Sequence, residues 1–429
     1  MATQPTALIP RGVADYFWEE ALQRRTLELA LLKTFRTWGY EDVVPPMFEY
    51  ADTLSRHANQ ALQAEMVRFQ DRDGSTLALR ADMTIAVARL VGTRLHDWPM
   101  PQRFCYTGSV FRDTELQAGR QREFLQAGIE LLGAPGPAAD AEILALTAQA
   151  LRIAGLSDFR LVVGQLGYFH GLLQALQLSA GQQTWLQQAI DRNSEPEVAE
   201  FLRAVSLQPQ QRRAVEELPR LSGHKINAIM AQAEQLCLNQ VMYDAVENLR
   251  AICTALDSYG VLDSIYLDLT EIHNLGYYTG ITFEALTPRL GFPVAAGGRY
   301  DQMIGAFGKS QAAVGAAFTL DRILMARRDP TVHYHQPQPV APDLLVAAHA
   351  SAQCLALVEQ WRAQNLRVTV DVADYTTDEL CQMAHKIGCK RVLDWTGSGF
   401  DVYETANQSS TPVRYVAAND SKQLTNLGI

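Results

Sequence analysis

The stretch from Phe104 to Gly133 constrains the fold more than any other part of the chain. Apolar and polar residues alternate in two runs within it, a pattern typical of strands with one buried face. A charged segment containing Gly119 separates the runs and favours a hairpin connection longer than a tight turn. The apolar residues of the two runs are Phe104, Tyr106, Val110 and Phe111, then Phe124, Ala127, Ile129 and Leu131.

Three polar residues on these two strands bear on function, namely Arg112, Gln126 and Glu130. Gln126 and Glu130 are an even number of residues apart, so a regular strand places both on the same face. A guanidinium, an amide and a carboxylate on one sheet surface can form a polar ligand pocket. The alternative is a set of satisfied surface or interface groups, because amphipathic strands are far commoner than ligand sites.

Composition and charge narrow the classes of function. A chain of 429 residues with ordinary apolar content is expected to form two or three globular domains. The formal net charge of −10 argues against a nucleic-acid partner, because phosphate binding requires a local excess of Lys and Arg. We therefore expect no nucleic-acid partner, although a local basic patch could still exist.

The six cysteines indicate a reducing compartment. None forms a Cys-x-x-Cys pair or a zinc-type cluster, so neither a metal site nor a cofactor is expected. The amino terminus has no apolar segment typical of a signal peptide, and no run of about 18 apolar residues occurs. These features predict a cytoplasmic protein without a membrane partner.

The first hundred residues contain several recognisable elements. The apolar spacing predicts a helix from about Trp18 to Trp38, ended by Gly39. The strand that follows contains Pro45-Pro46, which restricts it to a sheet edge or an interface. Residues 64 to 79 read as a hairpin around an Asp-Gly turn.

A helix is predicted to follow this hairpin, from the segment LRADMT at 79 to 84 through about Leu95. Asp82 or Thr84 could cap this helix at its amino end. Either residue could instead contact a ligand, and the frequency of such caps favours capping.

Helix and strand signals alternate after the central hairpin. A helix over 138 to 154 and a strand over 159 to 166 precede a Gln- and Leu-rich region, from about 167 to 259, that reads as an all-helical insertion. Strand signals return at 264 to 270. Tyr277-Tyr278-Thr279 then lies between two glycines, which favours either a glycine-bent core strand or a segment that a ligand approaches closely.

The segment from Ala312 to Arg327 is predicted to be a helix that ends the large domain, which spans residues 1 to 328. Residues 329 to 342 form a proline-rich linker. Beyond it, the order strand, helix, strand, helix, strand predicts a small α/β domain over 343 to 429.

Taken in order, a set of short motifs makes the chain recognisable. Residues 8 to 327 resemble the catalytic core of histidyl-tRNA synthetase, a class II aminoacyl-tRNA synthetase, and the last domain resembles a diverged anticodon-binding domain. The resemblance implies an α+β fold with a large antiparallel sheet, flanking helices, a helical insertion and a small α/β domain. The motifs are Arg11-Gly12 with Asp15, the Pro45-Pro46 strand, LRADMT, VFRDTE with GRQREFLQAGIE, LGYYTG, AGGRYD and TLDR.

The resemblance also implies a histidine-binding pocket. Asp82 stands where the family has a glutamate that holds the amino group, and Arg112 matches the arginine that contacts the carboxylate and the ATP α-phosphate. Arg322 matches the arginine that holds the ATP tail. The implied histidine-binding residues are Asp82, Thr84, Arg112, Gln126, Glu130, Tyr278 and Tyr300.

The chain departs from the synthetase pattern at positions used for adenylation. Thr114 and Asp321 replace family glutamates, His273 replaces an arginine that stabilises the activated histidine, and Gly276 replaces an aspartate. Loss of a donor at developing phosphate charge costs orders of magnitude in rate. No catalytic residue is therefore assigned.

A retained amino-acid pocket with altered adenylation groups is similar to the synthetase-like regulatory subunits of ATP phosphoribosyltransferase. The resemblance implies a non-catalytic protein that pairs with a short-form catalytic subunit, as a hetero-octamer, and takes part in inhibition by histidine. No bound tRNA is expected for such a protein. It also implies a self-dimer through the Pro45-Pro46 strand. Two alternatives stay open: a functional histidyl-tRNA synthetase, and an amino-acid sensor with another partner.

Overall fold

The computed structural model describes residues 9–56, 58, 60–114, 121–272, 277–328, 339–349, 351–405 and 411–418. The chain divides into two compact units. The first comprises Met1–Asp15 and Arg24–Asp329, and the second comprises Tyr16–Gln23 and Pro330–Ile429.

Helices and strands occur in both units, and 17 strands are numbered here in chain order. The helices are α1 (Trp18–Thr37), α2 (Ala51–Ser55), α3 (Gln60–Ala64), α4 (Thr84–Arg94), α5 (Pro137–Ile153), α6 (Leu166–Leu176), α7 (Ala180–Asp191), α8 (Glu195–Ala204), α9 (Pro209–Glu217), α10 (Ile226–Gln235), α11 (Gln240–Ser258), α12 (Leu320–Arg327), α13 (Ala352–Ala363) and α14 (Thr377–Lys386). The strands are β1 (Glu41–Asp42), β2 (Phe48–Tyr50), β3 (Arg68–Gln70), β4 (Thr76–Leu79), β5 (Gln102–Phe111), β6 (Glu123–Leu132), β7 (Arg160–Gln165), β8 (Ser222–Gly223), β9 (Ile265–Asp268), β10 (Ile281–Leu286), β11 (Ala295–Arg299), β12 (Ala313–Thr319), β13 (Leu344–Ala347), β14 (Val368–Val370), β15 (Arg391–Trp395), β16 (Gly399–Glu404) and β17 (Arg414–Ala417).

A nine-stranded sheet in the order β1-β5-β6-β12-β11-β10-β7-β9-β8 forms the centre of the first unit. From β5 through β6, β12, β11 and β10 to β7, neighbouring strands pair antiparallel. The pairs β1 with β5 and β7 with β9 are parallel. The predicted α+β fold with a large antiparallel sheet is confirmed. The predicted central hairpin is β5 and β6, and its connection at residues 115–120 lies outside the described residues.

The hairpin predicted over 64 to 79 is confirmed as β3 and β4, which pair antiparallel. Strand β2 joins them in a separate three-stranded sheet. The Pro45-Pro46 segment connects β1 and β2, and each of these strands is at the edge of its sheet. Proline has no backbone N–H to donate to a ladder, which explains the edge position.

Arg80 holds this proline segment against the large sheet. Its buried guanidinium donates to the carbonyl of Pro45 at 2.8 Å, and its Nε donates to the carbonyl of Ser109 on β5 at 2.8 Å. A Cβ at Gly108 would lie 2.3 Å from the guanidinium, so glycine is needed there. The LRADMT segment is thereby fixed next to β5.

The predicted helix from Ala312 to Arg327 is wrong over its first half. Residues Ala313–Thr319 form strand β12, and only Leu320–Arg327 are helical. Alanine favours helices, but β12 lies between β6 and β11 with five of its seven residues buried, and small side chains suit that position. Gly315 in its middle is also unfavourable in a helix.

The region from 166 to 258 contains six helices, α6 to α11, in general agreement with the predicted insertion. It is not entirely helical, because Ser222–Gly223 forms the short strand β8 and pairs with β9. Two-residue strands leave no periodic signal in the sequence. The exact domain boundaries stay a prediction.

A buried ion pair fixes the end of β11. Arg299 donates to the Asp140 carboxylate at 2.6 Å, and both side chains are at most 8% exposed. Arg299 also reaches Asp301 at 3.1 Å and the carbonyl of Gly136 at 3.2 Å. Charged residues are almost never buried unless paired. The pair therefore joins the amino end of α5 to the segment that carries Tyr300.

The second unit has a five-stranded sheet in the order β14-β13-β15-β16-β17. Strand β13 pairs parallel with both β14 and β15, as the alternation of strands and helices predicted. Strands β16 and β17 continue the sheet antiparallel and were not predicted. Among the described residues, no helix combines the length and apolar character needed to cross a membrane.

Candidate functional site

A cavity of about 310 Å³ lies on one face of the nine-stranded sheet. Its walls come from β6, β11, β12, the amino end of α4 and the segment before β10. All seven predicted histidine-binding residues line it: Asp82, Thr84, Arg112, Gln126, Glu130, Tyr278 and Tyr300. The sequence therefore predicted residues that the fold brings together, although 218 positions separate the first from the last.

Glu130 lines this cavity and is only 1% exposed to solvent. Its carboxylate accepts hydrogen bonds from three hydroxyl groups. Thr84 donates to Oε1 at 2.8 Å, Tyr106 donates to Oε1 at 3.1 Å, and Tyr300 donates to Oε2. A carboxylate that already accepts three hydrogen bonds has its position fixed before any ligand arrives.

The strand next to Glu130 leaves room for this carboxylate. Gly315 on β12 pairs directly with Glu130, and a Cβ there would lie 1.8 Å from Oε2. Glycine at this point is thus required by close approach and not by a turn. Gly315 was missed as a site residue because the sequence placed it in a helix.

Burial raises the pKa of Glu130 to about 8, and the nearby Asp82 carboxylate acts in the same direction. The hydrogen bonds from Tyr300, Thr84 and Tyr106 favour the charged form and oppose this rise. The carboxyl group therefore holds its proton near neutral pH in the protein alone. A ligand that brings positive charge or N–H donors would favour the ionised form.

Asp82 serves as a cap of α4 and also lines the cavity. Its Oδ1 accepts from the backbone N–H of Thr84 at 2.7 Å and from that of Ile85 at 3.4 Å. Asp82 thus caps the helix from the residue before the N-cap position, which is Met83 and makes no side-chain cap hydrogen bond. Contact of Asp82 with a ligand amino group stays a prediction. Capping orients the carboxylate and leaves its other oxygen available for a second interaction.

Gln126 and Glu130 line the same cavity from β6, as the even spacing predicted. Gln126 is 5% exposed, and its Oε1 has no hydrogen-bond partner within the described part of the chain. A buried amide oxygen without a partner is costly. A ligand donor in the cavity would satisfy it.

Two arginines also line the cavity. Arg112 donates from Nε to the carbonyl of Ala81 at 3.0 Å, and its guanidinium lies 5.4 Å from the ring centre of Phe124. Arg322 donates to the carbonyl of Pro293 at 2.8 Å. The cavity thus presents carboxylates and guanidinium groups together, as a zwitterionic ligand requires.

Three tyrosines form an aromatic wall. The ring centres of Tyr277 and Tyr278 lie 4.9 Å apart, and those of Tyr277 and Tyr300 lie 6.2 Å apart. Tyr277 also lines the cavity but was not among the predicted residues. Its position next to Tyr278 in the sequence was the signal that could have identified it as a cavity residue. Such rings provide flat apolar surface with polar tips for a planar ligand.

Two of the positions that depart from the synthetase pattern are described. The Oγ1 of Thr114 is buried and makes no hydrogen bond to any described residue. Asp321 forms an ion pair with Arg24 and accepts from the backbone N–H of Leu125 at 2.9 Å, so it links α1, α12 and β6. His273 and Gly276 lie outside the described residues.

Within the described residues, no group of three or more His, Cys, Asp or Glu side chains is placed to hold a metal ion. The six cysteines are free, and five of them are buried. The cavity itself holds no thiol among its lining residues. Its chemistry is that of carboxylates, guanidinium groups, hydroxyls and an amide.

Comparison of the amino-acid sequence with known proteins shows the family of this chain. The histidyl-tRNA synthetase family model matches residues 12–323. The ATP phosphoribosyltransferase regulatory subunit of Syntrophotalea carbinolica is 36% identical over 91% of this chain and 91% of its own length. That of Desulforamulus reducens is 38% identical over 90% of this chain and 96% of its own. The chain belongs to the family of ATP phosphoribosyltransferase regulatory subunits.

Solved structures agree with this family. A Bacillus halodurans protein described as an ATP phosphoribosyltransferase regulatory subunit/histidyl-tRNA synthetase is 27% identical, with a TM-score of 0.78 over 87% of this chain and 95% of its own. Histidyl-tRNA synthetase from Nostoc sp. PCC 7120 is 20% identical, with a TM-score of 0.79 over 99% of this chain and 100% of its own. The second likeness shows the shared fold alone.

The relatives also include the last domain. The match to the Syntrophotalea regulatory subunit extends over 392 residues, more than the 328 residues assigned to the large domain. It therefore reaches into the region after the linker. A regulatory subunit of this family can thus carry the small α/β domain.

The raised pKa of Glu130 predicts a pH-dependent stability. The unfolded chain loses this proton near the ordinary pKa of 4.5, whereas the folded chain holds it to about pH 8. The free energy of unfolding of the wild type should therefore fall between these values, by up to about 1.4 kcal/mol per pH unit. Glu130→Gln should remove this slope, as measured by urea unfolding at pH 5, 6, 7 and 8.

Below pH 4.5 and above pH 8 the stability difference between the two proteins should be constant, since the group then has the same charge in both states. Parallel profiles for the wild type and the variant across the whole range would contradict the assigned protonation.

Proposed function

We propose that this chain is a non-catalytic regulatory subunit of ATP phosphoribosyltransferase, the first enzyme of histidine biosynthesis. It would be required for the activity of a short-form catalytic subunit in the cytoplasm and would confer inhibition by histidine. The names of its relatives support the regulatory role. The observation that carries the ligand assignment is the single cavity that contains all seven predicted residues.

Histidine suits this cavity chemically. Asp82 and Gln126 offer acceptors for the ammonium group, and Arg112 offers donors for the carboxylate. Glu130 would accept from an imidazole N–H between the rings of Tyr278 and Tyr300. A volume of about 310 Å³ is at the lower end of the range for small-molecule sites, in keeping with an amino acid.

The groups expected for adenylation argue against a synthetase reaction. Thr114 has no carboxylate to offer an adenine ring, and Asp321 is engaged with Arg24 and the backbone of β6. Of the donors that activation of histidine requires at the developing phosphate charge, the arginine replaced by His273 is missing, while Arg112 and Arg322 are kept. The altered positions together suit a protein that binds histidine and does not convert it.

Regulation would follow from differential binding. If histidine binds more tightly to one state of the assembly with the catalytic subunit, it shifts the assembly toward that state. A coupling free energy of 1–3 kcal/mol would shift the equilibrium between the two states by about 5- to 150-fold. The hetero-octamer that the family resemblance implies would place several such cavities in one assembly.

A self-dimer through the proline segment is part of this proposal. The segment and the strand after it expose Val44 (90%), Met47 (49%) and Phe48 (53%). Contiguous exposed apolar side chains commonly mark protein interfaces. Both adjacent strands are sheet edges, which adds unpaired backbone groups to the same surface.

The regulatory assignment predicts a dependence that an assay can measure. A short-form ATP phosphoribosyltransferase should gain activity when this chain is added, and histidine should inhibit only the mixture. The measurement is the initial rate of the transferase with and without the chain, across a histidine titration.

No change in rate at any histidine concentration would contradict the assignment. Histidine-dependent exchange of pyrophosphate into ATP by this chain alone would instead favour the functional synthetase. The two assays use the same purified protein and separate the alternatives.

The dimer surface gives a second prediction. Val44→Asp combined with Phe48→Asp should lower the mass found by light scattering from that of a dimer to that of a monomer, because charge at an apolar interface is costly. Val372→Asp combined with Tyr415→Asp is a matched control, since these residues are 93% and 48% exposed. A monomeric wild type, or a variant as dimeric as the control, would contradict the assignment.

A further inference from the structure

Tyr106 is the hydroxyl donor to Glu130 that does not itself line the cavity. It lies on β5 and is 1% exposed. Thr84 and Tyr300, the other two donors, are both cavity-lining residues. Any effect of Tyr106 on a ligand is therefore indirect, through Glu130 or through Thr84, with which it also has a side-chain hydrogen bond.

The fold makes a specific place for this tyrosine. Tyr106 pairs across the sheet with Gly128, and a Cβ at Gly128 would lie 2.3 Å from the tyrosine oxygen. The ring consequently occupies the space of the missing side chain and extends from β5 over β6. This brings its hydroxyl to Oε1 of Glu130 at 3.1 Å.

The surroundings of Glu130 contain few groups that could stabilise its charge. No Lys, Arg or His nitrogen forms an ion pair with it among the described residues. The neighbouring carboxylate of Asp82 disfavours the charged form. The titratable groups that face it are Asp82 beside α4, Tyr106 on β5, Tyr277 and Tyr278 before β10, and Tyr300 after β11.

Hydroxyl donors are therefore the groups that favour an ionised Glu130. Each donated hydrogen bond stabilises the carboxylate relative to the carboxylic acid. Burial raises the pKa of Tyr106 well above its ordinary value, so its hydroxyl keeps the proton that it donates. Strand β12 places no side chain next to the Glu130 carboxyl group, because its residue opposite Glu130 is Gly315.

We propose that Tyr106 is a positioning residue that holds the Glu130 carboxyl group in place and favours its charged form, which accepts an N–H from the ring of the bound ligand. The inference rests on the function proposed above, since it concerns the same cavity. It adds a residue that neither the motifs nor the cavity lining identifies. It also makes ligand affinity depend on pH through Glu130.

Tyr106→Phe tests this with the smallest change available. The ring stays in the space beside Gly128, while the hydrogen bond to Glu130 is lost. The pKa of Glu130 should rise further, so a smaller fraction is ionised at neutral pH. We expect histidine affinity at pH 7 to fall roughly tenfold, given the strength of hydrogen bonds to charged groups.

Calorimetric titration of histidine at pH 6, 7, 8 and 9 gives the decisive profile. The ratio of wild-type to variant affinity should be greatest at the lowest pH and decrease as the pH rises. The ionisation of histidine itself cancels in this ratio, because both proteins meet the same ligand. Tyr168→Phe is the matched control, since Tyr168 is buried and donates at 3.0 Å to the carbonyl of Ala233, away from the cavity.

A second measurement needs no ligand. Urea unfolding across the same pH range should show that the decline in stability caused by Glu130 extends to higher pH in Tyr106→Phe than in the wild type. Equal affinity ratios at every pH, or superimposable stability profiles, would overturn the inference. A wild type that binds no histidine while the stability profiles still differ would contradict the proposed ligand but retain the role of Tyr106 toward Glu130.

Discussion

The buried carboxylate of Glu130 is the constraint on which the rest of the site depends. Removing an ionisable group from water costs several kcal/mol unless the protein supplies partners. Here the partners are hydroxyls from three separate elements, and Gly315 provides the space. The ion pair between Arg299 and Asp140 fixes the segment that brings Tyr300 to this carboxylate.

The cavity is lined by the Glu130 carboxyl group together with two arginines and three tyrosines. Such a set suits an amino acid with a planar side chain, since each polar end meets a group of opposite charge. Asp321, one of the positions that the family resemblance assigns to adenylation, instead joins α1 to β6. The proposed amino-acid site and this packing contact of Asp321 lie in the same fold.

Local patterns predicted much of this arrangement. The alternation around Phe104 and Leu131 predicted the central hairpin, and even spacing placed Gln126 beside Glu130. The alanines of β12 misled because burial between two strands overrides helix propensity. Tyr106 was read as an apolar strand residue, since its role depends on the missing side chain of Gly128 across the sheet. The seven site residues came from family resemblance, because spacing alone cannot bring Asp82 to Tyr300.

Calorimetric titration of histidine into the isolated chain tests the central claim most directly. The wild type should bind one histidine per chain, and Glu130→Gln should bind at least about tenfold more weakly, since the ring N–H loses a charged acceptor. Glu142→Gln should bind like the wild type, because Glu142 accepts from Tyr40 at 2.9 Å and Arg103 at 2.8 Å outside the cavity. Equal affinity for the wild type and Glu130→Gln would contradict the account.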